Sequence, residues 1–135
     1  SLLTDVPGSS GYFDRALCTY SYDAKMDLVG VSREALDREG AVSEPVARQM
    51  AAGARDTAGT TWGVSTTGIA GPDGGTPEKP VGTVFVGVAY RGEWGTGDTR
   101  TTVERYEFDG SRLEIKEQIA RQALEDVLAA VEAGR

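Results

Sequence analysis

The chain has no histidine and a single cysteine among its 135 residues. Those gaps exclude a Ser-His-Asp triad, a Cys-His dyad and an imidazole-ligated metal, and one thiol can neither close an internal disulfide nor build a zinc site. Acid–base chemistry near neutral pH therefore falls to a carboxylate, a lysine or a tyrosine with a displaced pKa. No metal and no cofactor are expected. No apolar run approaches the roughly 20 residues that cross a bilayer, and no basic-then-apolar leader opens the chain. With the lone Cys18, the expectation is a cytoplasmic protein without membrane contact. Lysines are scarce beside arginines, and the formal net charge of −7 argues against non-specific nucleic-acid binding. The acidity fits a salt-adapted or high-GC host, and equally an ordinary acidic surface.

What is present reads as one α/β domain, a central mixed sheet flanked by helices, spanning residues 1–135. Residues 1–6 look like the last turn of a helix, ended by Pro7-Gly8. Residues 16–21 form a strand candidate. Residues 32–39 read as a short helix capped by Ser32 and stopped by Gly40, and Ser43 caps a longer one with Pro45 in its first turn. Val46, Ala47, Met50, Ala51 and Ala54 give the second helix an apolar face. Residues 62–66 and 81–90 are apolar, β-rich runs, the second apolar on both faces and so expected at the sheet centre. Residues 91–99 read as an exposed hairpin loop and 101–108 as the returning strand. Ser111-Arg-Leu-Glu114 is a capping-box pattern that opens a helix to about residue 132. Its inward face is expected to carry Leu113, Ile119, Ala120, Ala123, Leu124, Val127, Leu128 and Val131.

The segment from Thr67 to Gly82, Thr-Gly-Ile-Ala-Gly-Pro-Asp-Gly-Gly-Thr-Pro-Glu-Lys-Pro-Val-Gly, has no apolar period. Its glycines and prolines force a stiff, tightly turned loop. Closely spaced glycines leave backbone N–H groups free to meet an anion. The loop lacks the Gly-Lys-Ser/Thr ending of a P-loop, and no Gly-x-Gly-x-x-Gly opens a helix here. Thr67 and Gly68 stand where the strand opens into the loop, so they are candidate donors to an oxyanion. Gly74, Gly75 and Thr76 are candidates for cradling phosphate or ribose. Gly71, Pro72, Pro77 and Pro80 can equally do no more than shape a turn, and Glu78 and Lys79 can simply pair in solvent, where such a pair contributes little.

Two further groups carry chemistry. In Tyr20-Ser-Tyr-Asp-Ala-Lys25 a turn after Ser21 would let the phenol and the amine face one pocket. A lysine becomes a general base only when burial or a nearby positive charge lowers its pKa. On spacing alone, Tyr20 is a rim aromatic and Lys25 a solvated charge. In Gly110-Ser111-Arg112 the arginine falls in the first turn of the last helix, where free N–H groups, the helix dipole and a guanidinium make a plausible phosphate site. The alternative is a surface arginine beside Glu114 or Glu117.

The glycine loop together with Tyr20-Ser-x-x-x-Lys25 resembles the signature of the CinA C-terminal domain family, the nicotinamide mononucleotide deamidases. The resemblance covers the chain as one domain. It implies that Tyr20 and Lys25 are catalytic, that Thr67 and Gly68 contact substrate, and that Arg112 lies in the family's Gly-x-Arg context. Arg15 and Ala16 stand where the family commonly has two small glycines, Tyr22 where it often has Asn, and Ser111 where it usually has Asp. The implied reaction is hydrolysis of a nucleotide carboxamide to the acid and ammonia by a Ser-Lys mechanism, with nicotinamide mononucleotide or a similar small nucleotide as partner. A homodimer is implied, and direct nucleic-acid contact is not expected. The family's attacking serine lies in a Glu-Ser-Cys-Thr-Gly-Gly segment before the Pro-Gly-Ser-Ser stretch; that segment is not in this chain. The expectation is that the nucleophile lies upstream of residue 1, or that this form is inactive; Ser9, Ser10 and Ser21 are not assigned to the role. Two other readings stand beside this one: a non-catalytic nucleotide-binding or interaction domain of a competence- and DNA-damage-linked protein, and a hydrolase for another nucleotide amide or phosphate.

Overall fold

The computed structural model describes residue 5 and residues 7–134. The helix end expected at residues 1–6 lies outside the described residues, apart from Asp5. Three strands, β1 (Trp62–Gly68), β2 (Thr83–Tyr90) and β3 (Arg100–Glu107), form one sheet in the order β1-β2-β3. Three helices, α1 (Tyr22–Val29), α2 (Arg33–Glu39) and α3 (Glu44–Ala58), precede the sheet, and α4 (Arg112–Ala133) follows it.

The α/β class and the flanked central sheet are as expected. Both strand pairs are antiparallel, where the sequence reading expected a mixed sheet. The parallel component would have needed the strand at 16–21, but that stretch carries no strand pairing. β2 is the central strand and is buried along nearly its whole length, because both of its faces are covered.

Alternation along β2 sorts the layers. Val84 and Val86 pack with Ala123 of α4, joined by Val64, Tyr106, Phe108 and Ile119. On the other face α3 lies close to the strands: a Cβ on Gly87 would stand 2.7 Å from the Ala47 carbonyl oxygen. Val46, Ala47 and Ala51 of α3 are fully buried, as their spacing predicts, and Met50 and Ala54 pack on the cluster of Val29, Val31, Ala35, Leu36 and Val46. The result is an α/β/α sandwich.

α4 follows expectation at Ile119 and Ala123, which pack in the core, and departs from it at Leu113, Ala120 and Leu128. Ile115, 1% exposed, is its most buried residue, while Leu113 and Leu128 are 75% and 56% exposed and Ala120 is exposed. The helix carries apolar residues on two sides, and the sheet takes the side of Ile115, Ile119 and Ala123. Its capping box is present, with Ser111 accepting from Glu114 N–H and Glu114 accepting from Ser111 N–H. Ser43 stands at the N-cap of α3 but makes no side-chain cap bond. Its buried hydroxyl donates to the Gly40 carbonyl instead, at 2.8 Å. No helix among the described residues is long and apolar enough to cross a membrane.

Candidate functional site

The sequence reading assigned no helix to residues 22–29. Ser21 there adopts an extended backbone and accepts from Ala24 N–H at 3.1 Å, which opens α1. α1 carries Lys25 inward: the residue is 6% exposed, and its ammonium donates to the backbone carbonyl of Thr19. No carboxylate among the described residues pairs with it in a salt bridge. Burial holds its pKa below the ordinary lysine value, partly opposed by Cys18, which acts to raise it. That is the condition under which a lysine serves as a base near neutral pH.

Tyr20 is placed differently. Thr19 is buried and Tyr20 is 90% exposed. No hydrogen bond joins the Tyr20 phenol to Lys25, so the structure does not bring these two tips together.

At the start of the loop, Thr67 is buried and its hydroxyl donates to the Ala41 carbonyl at 2.7 Å. The hydroxyl proton is thereby engaged, which leaves the oxygen as an acceptor. Gly68 offers a donor. The pairing register and the bonds from Ile69 N–H to Thr83 O and from Arg91 N–H to Thr61 O make the odd-numbered residues of β1 the ones that exchange hydrogen bonds with β2. The N–H of Gly68 is therefore directed to the outer edge of the sheet, at the C-terminal end of β1.

The loop itself is held by its own turns and by neighbours. Thr76 N–H donates to the Lys79 carbonyl, and Lys79 N–H returns to the Thr76 hydroxyl. Gly82 ties the base together, donating to Ile69 O and accepting from Phe108 N–H. Gly74 and Gly75 are exposed at the loop's outer surface. Arg112 reaches the loop from α4, with Nη1 donating to the Gly71 carbonyl at 2.8 Å, so the structure joins these two predicted elements. Lys79 does not pair with Glu78; its Nζ donates to the Glu39 carbonyl at 2.9 Å, because the turn from Thr76 aims it at the end of α2. Arg105, which the sequence reading passed over, donates to the Glu78 carbonyl at 2.7 Å. Neither signal was available in the sequence, since each contact joins segments far apart in the chain.

Two clefts among the described residues lie elsewhere. One lies beside α4 over Val86, Val88 and Glu104, and the other between α1 and α3 at Gly30 and Gly53. Neither includes Lys25 or the loop.

The described residues thus form an α/β/α domain that carries a buried lysine, without a carboxylate partner among those residues, and a glycine- and proline-rich loop held by its neighbours. The chain belongs to the CinA C-terminal domain family, whose profile matches residues 1–131. It is 50% identical over 128 residues to a CinA-like protein of Chlorobaculum tepidum, a match covering 95% of this chain and 30% of that protein. A CinA-like protein of Syntrophotalea carbinolica is 48% identical over 124 residues, covering 92% of this chain and 28% of that one. The chain thus spans about 30% of the length of these curated relatives. Among solved structures, the competence/damage inducible protein CihA from Agrobacterium tumefaciens is 41% identical with a TM-score of 0.86, over 94% of this chain and 74% of that one. A competence or damage-inducible protein from Enterobacter asburiae is 32% identical with a TM-score of 0.84, over 95% of this chain and 76% of that one.

Proposed function

We propose that this domain supplies the base and the substrate-holding loop of a Ser-Lys amidase that hydrolyses the carboxamide of nicotinamide mononucleotide. The observation that carries the reading is Lys25, buried, free of any carboxylate partner among the described residues and lowered in pKa by that burial. In its neutral form the amine takes the proton of a serine hydroxyl as the serine oxygen bonds to the amide carbon. The outward N–H of Gly68 receives the oxyanion. The C–N bond then breaks, the ammonium of Lys25 returns its proton to the leaving nitrogen, and ammonia departs. Water hydrolyses the acyl intermediate to nicotinic acid mononucleotide. Arg112, Gly74, Gly75 and Thr76 hold the phosphate and ribose, and the exposed phenol of Tyr20 donates a hydrogen bond to the substrate from the rim. The attacking hydroxyl is not assigned to Ser9, Ser10 or Ser21. Two copies associate.

A second reading, a nucleotide-binding or interaction domain without turnover, draws on the names of the structural relatives, which speak of competence and damage rather than of a reaction. Ammonia release from nicotinamide mononucleotide by the full-length protein separates the two. Lys25→Ala is expected to lower kcat by about 10²-fold or more, and Tyr20→Phe by a smaller factor. If both variants turn over like the wild type, the catalytic assignment is wrong.

A further inference from the structure

The connection between α2 and α3 is gripped at three successive carbonyls. Glu39 O accepts from Lys79 Nζ at 2.9 Å, Gly40 O from Ser43 Oγ at 2.8 Å, and Ala41 O from Thr67 Oγ1 at 2.7 Å. Two of the three donors come from opposite ends of one loop: Thr67 stands where it leaves β1, and Lys79 lies shortly before it enters β2. A short stretch of backbone, residues 39–41, thus joins both ends of the loop to the helical layer.

Lys79 is built for this and not for solvent. It is half-buried, its backbone closes a reciprocal pair with Thr76, and its ammonium meets the last residue of α2, where helix carbonyls carry partial negative charge. A bond from a charged donor to a carbonyl is among the stronger protein hydrogen bonds. The carbonyl of Glu78, the adjacent residue, is held by Arg105 of β3. The turn is therefore pulled toward α2 and toward β3 at consecutive residues.

We propose that Lys79 is a positioning residue: by sharing residues 39–41 with Thr67, it fixes the glycine- and proline-rich loop against the β1 end that presents Gly68. This deepens the amidase reading and rests on it for the kinetic consequence alone. Lys79 itself touches no substrate. It sets where the loop lies relative to the donor at Gly68, and so acts on the reacting centre through the loop.

Hydrogen–deuterium exchange of the intact protein, paired with steady-state kinetics on nicotinamide mononucleotide, tests it. Lys79→Met should speed exchange at the hydrogen-bonded amides of Ile69, Thr76 and Gly82 by about tenfold and leave α4 unchanged. Lys79→Arg, which keeps a charged donor, should restore slow exchange. kcat should fall about tenfold in Lys79→Met, with KM moving less. Wild-type exchange in Lys79→Met overturns the proposal whatever the activity, and so does faster exchange spread over α4. An arginine variant that exchanges as fast as the methionine one overturns the charged bond as the cause. Locally faster exchange in a protein whose wild type releases no ammonia upholds the clamp and sinks the amidase reading.

Discussion

Lys25 turns its ammonium back to the carbonyl of Thr19, six residues earlier in the chain. The arrangement follows from the helix cap. Ser21, itself extended, starts α1, so the first turns of the helix carry Lys25 inward beside Thr19, which precedes the cap. A neutral backbone oxygen solvates the charge without neutralising it, and burial is left as the dominant influence on its pKa.

The first prediction concerns pH. The acidic limb of the kcat/KM profile should report the deprotonation of Lys25 at a pKa below its ordinary 10.5, and that limb should vanish in Lys25→Met. The stability effect has a definite sign. Between the lowered folded pKa and 10.5 the unfolded state binds more protons, so wild-type stability rises with pH across that window. Urea melts of Lys25→Met should lack this rise; an identical pH slope in both proteins would refute the burial of the charge.

Arg112 gives the second. Arg112→Ala removes both the proposed phosphate contact and the bond to Gly71, so KM for the nucleotide should rise by about 1–3 kcal/mol in binding terms with the fold intact. Titration with inorganic phosphate as competitor provides an independent reading. Equal KM and equal phosphate inhibition in variant and wild type would remove the phosphate role.

Gly82 provides a test of the loop's base. Its φ is +97°, and a Cβ there would stand 1.8 Å from the Phe108 carbonyl oxygen, a backbone atom that cannot swing aside. Gly82→Ala should therefore cost about 3 kcal/mol or more, measured by denaturant unfolding. A loss below about 1 kcal/mol would show that the β2 entrance can rearrange.

Tyr106 ties β3 to α4. Its hydroxyl donates to Asp126 Oδ2 at 2.7 Å, and Gln122 donates to the other oxygen of the same carboxylate at 2.9 Å. Burial, then Asp126, pushes the phenol above its ordinary range. Its contribution is therefore complete below the ordinary tyrosine pKa of 10.0 and is lost as pH rises further. Tyr106→Phe should lower stability at neutral pH by about 1–2 kcal/mol and flatten the alkaline decline. Unchanged denaturation midpoints across pH would show that the bond contributes nothing.

Much of the fold was legible along the chain. Ser32, Gly40, Pro45 and the Ser111–Glu114 pair marked helix ends through local capping chemistry, which depends on residues three or four apart. The alternating valines of β2 and the punctuation around Arg91–Arg100 placed the hairpin. Less was legible at α1, because Tyr-Asp-Ala-Lys-Met-Asp-Leu-Val has only a weak apolar period and its helix is recognised mainly by its cap. The rotation of α4 was legible only in part: Ile119 and Ala123 were marked as inward, but Ile115 was not, since two apolar sides compete and only the shape of the sheet selects between them. The strand expected at 16–21 has suitable residues, but pairing needs a partner, which no local pattern supplies.

The residues of the candidate site were visible in order but not in arrangement. Order alone determined that any acid–base work near neutral pH falls to a carboxylate, an amine or a phenol, since histidine is missing, and that the stretch after Thr67 must turn tightly, since glycine and proline restrict or release φ locally. Tertiary packing decided that Lys25 is buried while Tyr20 faces solvent, that Arg112 reaches Gly71, and that Thr67 and Lys79 meet on residues 39–41. Burial and long-range hydrogen bonds depend on which surfaces come together in space, and a pKa or a loop position follows from those encounters rather than from neighbours in the chain.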